Sequence, residues 1–425
     1  MTNPIQQPTR SAAWAVFGAF GAAGFAIGTF ASRIPAISSE LHLSGGELGS
    51  FLMMWAIGSV VALPASGMLT ERLGTRGAST RFAILTGAAQ LSLIVAVLTG
   101  HVILASAALF LVGAGAGLWD ASITVEGATV EQRLGTIAMP RFQAGESLGT
   151  ALGAGLGAVM AALHLPLLVH FGVAIAFYTA TGLVCARAYL PASATNEPAP
   201  SSTGVTPHRA GRASPTALAA SSVTVPPESL SVPSWRTSLA AWREPRTLLL
   251  GLVILGAALA DGAGGDWTSQ AILTGFHTSE ATAALGTALF FGAALTLRLA
   301  AGRIVARFGT VRTLRGCSLV TLVGVTLFAL SPWLPLALAG TVLWGCACAL
   351  GFPLGVSSAA DDPAKAAHRV AAASTIGYLA FIMGPLVIGL LSEVVGYRLA
   401  LLFIVIPIAV ALVAAGSARP SSSNR

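Results

Sequence analysis

Twelve apolar runs, most of them long enough to cross a bilayer, follow one another between residues 12 and 416 and leave the chain few choices of fold. They fall near 12–32, 47–66, 82–99, 103–126, 142–162, 167–188, 247–271, 281–300, 314–331, 335–356, 370–391 and 398–416. About 20 apolar residues in a helix cover the roughly 30 Å of bilayer hydrocarbon. No water is at hand there to satisfy a backbone N–H or C=O, so such runs are helices rather than open strands. Composition agrees, with 55% of residues hydrophobic and 9% charged, against roughly 25% charged residues in soluble domains. The expected fold is all-α and integral to the membrane.

Basic residues give an orientation. Of 23 Lys and Arg, Arg33 and Arg398 sit at the ends of runs on one side and Arg298 lies inside a run, so 23 − 3 leaves 20 on the other side. The positive-inside rule places those 20, and with them both termini, in the cytoplasm. The net charge of +7 is then a signal of topology, and no nucleic-acid partner is expected. The first run is longer than the 7–15 apolar residues at the core of a cleaved signal, so it stays as the first helix.

Residues 67–76 read Gly-Met-Leu-Thr-Glu-Arg-Leu-Gly-Thr-Arg, a glycine-punctuated charged turn between two apolar runs, and a second copy occupies residues 302–312. A shift of 235 residues carries Gly67 onto Gly302, Arg72 onto Arg307, Gly74 onto Gly309 and Thr75 onto Thr310, and upstream His42 onto His277 and Ser44 onto Ser279. The chain is a duplicated unit: a six-helix bundle over 1–189, a Pro/Ser/Ala-rich linker over 190–245 and a second six-helix bundle over 246–425. The linker lacks the apolar residues to build a core and is expected to be a disordered cytoplasmic tether.

This turn, placed after the second run and again after the eighth, resembles the loop motif of the major facilitator superfamily of secondary transporters. Residues Gly117-Leu-Trp-Asp-Ala-Ser and Phe142-Gln-Ala-Gly-Glu-Ser-Leu-Gly149 are most similar to the branch that contains the fucose permease. Drug-antiporter branches carry an Arg where this chain has Leu109, and a Gly-Pro pair in the fifth helix, whereas here no Pro occurs between Arg141 and Leu165. The resemblance implies twelve transmembrane helices in two pseudo-symmetric bundles that rock about a midplane site. It also implies gating residues: Gly67, Glu71, Arg72, Gly74 and Arg76 in the first loop, and Gly302, Arg307, Gly309 and Arg312 in the second. Glu71 would brace a helix end of the other half and lock the outward-facing state, whereas the second copy has Ala306 in place of the acid.

Site candidates follow from charge in apolar surroundings. A carboxylate or guanidinium inside a spanning helix is costly unless it meets a partner or a wet cavity, and it marks function by default. Asp120 in the fourth run, Glu146 in the fifth, Asp261 in the seventh and Arg298 in the eighth meet that condition. Arg298 is the expected countercharge of Asp120 and Glu146, either as a static bridge between the halves or as one that also exchanges protons. Trp119, Phe142 and Trp267 are candidate surfaces for a ring-shaped solute. Residues 261–267 hold three glycines, which invites a break in the seventh helix like those of discontinuous transporter helices. Gly145, Gly149, Gly153 and Gly157 form a small-residue stripe on which another helix can slide, and Gly18, Gly21, Gly24 and Gly28 permit close contact along the first. Arg33 is expected to snorkel to the headgroups, Glu126 and Glu131 to be solvated loop acids, and Gly384-Pro385 to kink the eleventh helix.

The four cysteines, Cys185, Cys317, Cys346 and Cys348, lie in or beside apolar runs and are expected to pack as reduced thiols. No CxxC, P-loop, Gly-x-Ser-x-Gly or His-Glu-x-x-His occurs, so neither a cofactor, a metal nor enzymatic chemistry is expected. The sum is a monomeric secondary transporter in the bacterial inner membrane, expected to move a small polar or amphiphilic solute, sugar-like or a secondary metabolite, by proton-coupled symport. An efflux antiporter, a facilitator without an ion and a membrane sensor that binds without transport are the alternatives. The partners are that solute, protons and the bilayer.

Overall fold

The structure is a computed structural model that describes residues 6–136, 138–190, 241–362 and 365–419, with side chains from residue 9 onward. Most of the expected linker, residues 191–240, lies outside the described residues. The N-terminal half contains α1 (Gln6–Ser32), α2 (Ile34–Glu40), α3 (Gly45–Leu98), α4 (Val102–Leu134), α5 (Met139–Ala162) and α6 (Leu167–Arg187). The C-terminal half contains α7 (Pro245–Phe276), α8 (Glu280–Phe308), α9 (Thr310–Leu330), α10 (Leu334–Cys348), α11 (Gly351–Ala359), α12 (Ala366–Val395), α13 (Tyr397–Ala400) and α14 (Val405–Ala414), with a 3-10 turn on each side of α14.

These helices make twelve crossings. At 1.5 Å per residue, the 54 residues of α3 are far too long for one passage, and the chain turns at Gly74, whose φ of 69° and ψ of 156° lie outside the helical region. α10 and α11 share one crossing, Leu334–Ala359, and α13 and α14 share another, Tyr397–Ala418. α5 completes the set, a 24-residue helix that carries Glu146 among its glycines. Large apolar side chains such as Ile103, Val394 and Val413 point outward, which suits a lipid surround and no aqueous one. Trp14 and Trp333 are exposed near helix ends, where tryptophan favours the membrane interface.

Local chemistry explains the helix starts. Ser44 accepts the Glu47 N–H while Glu47 Oε2 accepts the Ser44 N–H at 2.8 Å, the capping box that the sequence announces. Ser279, its counterpart 235 residues on, caps α8 by accepting the Thr282 N–H.

Two glycine stripes zip α1 to α5. A Cβ on Gly145 would lie 2.6 Å from the Phe17 carbonyl oxygen, one on Gly149 3.0 Å from the Gly21 Cα, and one on Gly153 2.9 Å from the Thr29 nitrogen. Gly24 in turn faces the Glu146 carbonyl. The α5 stripe is therefore a fixed seam within one half and not a sliding surface, since backbones this close leave no clearance for a neighbour's side chains to pass. The seam sets where Glu146 stands. α7 does not break at its glycines but runs unbroken for 32 residues; the interrupted helix is the tenth crossing, where α10 stops at Cys348 and α11 begins at Gly351. Pro385 sits inside α12, and its carbonyl faces Gly49 of α3.

Candidate functional site

The halves meet at the face opposite the two loop motifs. Arg33, between α1 and α2, is 5% exposed and its Nη1 stands 3.3 Å from Glu280 Oε2 at the start of α8. Arg33 thus does not snorkel; a carboxylate from the other half draws the guanidinium inward. Nearby, Ser269 of α7 donates to the Ala31 carbonyl at 3.1 Å, and the Gly46 N–H donates to Glu393 Oε1 at 2.8 Å. Below that contact a Cβ on Gly389 would lie 3.0 Å from the Gly49 Cα, so α3 and α12 approach backbone to backbone.

At the other face the loop motifs are apart. Glu71, Arg72, Arg76, Arg307 and Arg312 are exposed and form no ion pair among the described residues. Gly74 and Gly309 take φ of 69° and 76°, whereas Gly67 and Gly302 lie within α3 and α8 and show no positive φ. Thr75 donates to Glu126 Oε2 at 2.5 Å, and Glu126 Oε1 accepts the Leu190 N–H at 2.8 Å. Glu126 is fully buried and ties the first loop to the exit of α6. It is no solvated acid, because those two donors replace its water. Glu131 likewise accepts the N–H groups of Ala138 and Met139, at 2.7 and 2.6 Å, and caps α5.

A shift of 235 residues carries Glu126 onto Asp361, and Asp361 does the same kind of work in the second half. Arg246 Nη1 and Nη2 donate to its two carboxylate oxygens at 3.1 and 2.6 Å. Arg369 adds ion pairs to Asp361 and Asp362 at 3.6 and 3.7 Å and a close pair to Glu244. The hydrogen bond from Arg369 holds the Glu244 carboxyl below its ordinary range.

Between the two faces lies the charged centre. Asp120 is near the midpoint of α4 and yet exposed, so its carboxylate points into open space within the bundle. Consecutive helical residues are rotated by about 100°, and Trp119 accordingly turns the other way. Its Nε1 donates to Ser79 Oγ at 3.1 Å, and its ring lies 6.2 Å from Tyr178 and against Gly182. Arg298 Nη1 donates to Ser147 Oγ on α5 at 2.6 Å, and Nη2 lies 4.0 Å from Asp261 Oδ2 on α7. Cys348 places its thiol 3.6 Å from Asp261 Oδ1, so this cysteine belongs to the site and not only to the core. Glu146 lies within electrostatic reach of Asp120, Asp261 and Arg298. Asp266, one and a half turns along from Asp261, feels the Asp261 charge.

Several expectations are corrected here. The direct partners of Arg298 are Asp261 and Ser147, while Glu146 is a neighbour and Asp120 is no partner of it. The ion pair is therefore within the second half, and at the charged centre it is the hydrogen bond to Ser147 that reaches across to the first half. Trp119, Phe142 and Trp267 are 1%, 4% and 0% exposed. Trp267 packs 5.6 Å from Tyr397, and Phe142 belongs to the core of the first half. None offers a ring face to a solute, because each sits on the packed side of its helix.

A cluster of rings nearer the charged centre went unread in the sequence. Phe352 of α11, with Tyr378 and Phe381 of α12, forms a triangle with centroids 6.3, 6.5 and 6.4 Å apart. Tyr378 is 37% exposed and within electrostatic reach of Asp120, and Phe381 stands over Gly262, next to Asp261. Their one sequence signal was the i, i+3 spacing of Tyr378 and Phe381. Arg398 was also missed as a structural clamp: it follows the positive-φ Gly396 as Arg76 follows Gly74, donates to the carbonyls of Ser331, Ala329 and Gly275, and covers the Phe276 ring at 4.0 Å.

Comparison with known proteins agrees with this architecture. The chain is 29% identical over 394 residues to the uncharacterized transporter y4wD of Sinorhizobium fredii, covering 92% of this chain and 93% of that one. In fold it is similar to a bacterial homolog of the human lysosomal transporter Spinster, solved inward-facing and unoccupied, with a TM-score of 0.68, 14% identity and coverage of 99% and 100%. It is also similar to the fucose:proton symporter of E. coli, with a TM-score of 0.59, 14% identity and coverage of 96% and 98%. Residues 15–263 and 266–424 match the model of the Major Facilitator Superfamily, and the chain is therefore a multi-pass membrane transporter belonging to that superfamily.

Proposed function

We propose that this transporter is proton-coupled, carries a small polar or amphiphilic solute by alternating access, and sits in the bacterial inner membrane with both termini cytoplasmic. One observation carries the coupling: Asp120, at the middle of a spanning helix, is open to the interior space and has no basic partner among the described residues, while Arg298 is held by Asp261 and Ser147. A carboxylate there exchanges a proton as the space around it wets and dries, because burial disfavours the charged form and water restores it. Glu146, beside both charges, shares the proton or positions Arg298.

The gates supply the alternation. In this conformation Arg33–Glu280, Ser269–Ala31 and Gly46–Glu393 close one face, and the loop motifs are separated at the other. In the alternate state the motif loops come together: Glu71, Arg72, Arg76, Arg307 and Arg312 find partners across the halves, while the first set of contacts parts.

The test uses purified protein in liposomes with a pH-sensitive dye in the lumen and a panel of sugars, organic ammonium ions and organic acids. A transported solute should drive proton movement, in the same or the opposite direction. Asp120→Asn should abolish that proton movement and gradient-driven accumulation but retain counterflow of the same labelled solute at saturating concentration, which needs no net proton transfer. Accumulation by Asp120→Asn equal to the unmodified protein overturns coupling through Asp120. Cysteines placed at Glu71 and His101, both exposed and on opposite faces, test orientation: an impermeant maleimide added to intact cells should label only the His101 position.

A further inference from the structure

We infer that the solute is an organic cation, a small ammonium ion with an alkyl or aryl body that seats in the Phe352–Tyr378–Phe381 corner and takes Asp120 as its counter-ion. The inference rests on the transporter reading above and narrows it to a substrate class.

Two independent features of the central space converge on this chemistry. The first is its charge. Asp120, Glu146, Asp261 and Asp266 are linked by electrostatic contact, and among the described residues Arg298 is the one basic side chain found among their partners. Arg298 is engaged by Asp261 and Ser147. Of the four acids only Asp261 has an ion pair among the described residues, so the site holds more acidic groups than basic ones. An anionic solute would add to this imbalance and a neutral one would leave it. A cation relieves it, since like charges crowded in a poorly solvated site repel more strongly than in water.

The second feature is the aromatic corner. The three rings are mutually inclined by 56°, 52° and 43°. None is stacked flat on another, and none of the three is fully buried. A flat sugar ring needs one broad platform, whereas three inclined rings at this spacing suit a compact cation with apolar substituents, held by the ring quadrupoles. The corner is flanked by acids on both sides: Tyr378 is within reach of the Asp120 charge, and Phe381 stands over Gly262 beside Asp261. The apolar body and the charge of one small molecule are thus served at adjoining positions, with Asp120 supplied by the first half and the rings by the second. A ligand bridging the two would hold the halves together as they rock.

Three probes with one ring and different charge decide the matter: 2-phenylethylammonium, 2-phenylethanol and phenylacetate, titrated calorimetrically into the full-length protein in nanodiscs. The ammonium ion should bind at least roughly tenfold tighter than the alcohol, as expected for a charge-assisted contact, and phenylacetate should be weakest. Asp120→Asn should erase the advantage of the ammonium ion over the alcohol. Phe381→Leu, which keeps the charge, should weaken the ammonium ion by roughly fivefold to thirtyfold. Unchanged melting of both variants excludes misfolding as the cause. The inference is overturned if the alcohol or the acid binds as well as the ammonium ion, if none of the three binds, or if the advantage survives in Asp120→Asn. Counterflow of labelled L-fucose without ammonium binding would sink the cation and leave the transport reading standing; ammonium binding without counterflow of any solute would do the reverse.

Discussion

Gly67 and Gly74 belong to one loop motif and are seven residues apart, yet alanine should have opposite effects at the two positions. At Gly74 the backbone has φ 69° and ψ 156°, and an added Cβ would meet nothing within 4 Å. Crowding therefore contributes nothing, and the whole cost is the backbone conformation, a region populated almost only by glycine and worth about 1–3 kcal/mol for other residues. Gly67 lies inside the first arm of α3, and its Cβ would also meet nothing within 4 Å. There alanine gains about 0.8–1 kcal/mol of helix propensity. The two variants should differ by about 2–4 kcal/mol, Gly67→Ala at or above the unmodified protein and Gly74→Ala below it. Gly309, at φ 76° and ψ 162° with the same open surroundings, is an internal replicate, and Gly309→Ala should fall with Gly74→Ala. The assay is thermal inactivation of detergent-purified protein, followed by fluorescence-detected size exclusion, with transport measured in parallel. If Gly74→Ala melts with Gly67→Ala, or Gly67→Ala is the more damaging, the turn is not what these glycines are for.

The α1–α5 seam predicts that Gly149→Val drives side-chain atoms into Gly21 and abolishes accumulation of folded protein, whereas Gly155→Ala, six residues along with nothing within 4 Å of its Cβ, is tolerated; comparable yields of the two would refute the seam. Arg33→Met removes an ion pair whose carboxylate is 43% exposed, so only about 1 kcal/mol is at stake, or about fivefold in the ratio of the two gate states. Labelling of a cysteine at Ser269 should rise by about that factor, and unchanged labelling would dismiss the latch. Because the Arg369 hydrogen bond depresses the Glu244 carboxyl below its ordinary 4.5, its stabilising contribution is complete above that pH and is lost as pH falls through the depressed value. Glu244→Gln should therefore flatten the acid limb of a plot of melting temperature against pH, and an unaltered limb would assign that acid sensitivity to other groups.

What the sequence by itself determined is everything set by one-dimensional pattern. Run length and the impossibility of unpaired backbone in lipid specify twelve helical crossings, the 235-residue shift specifies a duplicated plan, and Ser44-Gly-Gly-Glu47 specifies the start of α3. Charge in apolar surroundings picked out Asp120, Glu146, Asp261 and Arg298, which the structure gathers around one space, because an uncompensated charge is costly anywhere in a membrane whatever the packing. Tertiary structure alone decided which way each side chain turns and which helices meet. Trp119 and Asp120 are neighbours in the chain and face opposite ways, and no helical pattern reveals this when every face of a helix in lipid is apolar. Glu126 reads as a loop acid until Thr75 and the Leu190 N–H arrive from 51 and 64 residues away. Arg33 reads as a snorkelling arginine until Glu280 comes across from the other half. Phe352, Tyr378 and Phe381 drew no reading from the sequence, and it is α11 and α12 that bring them to one corner. In each case the deciding partner is remote in sequence, and its proximity is a property of packing.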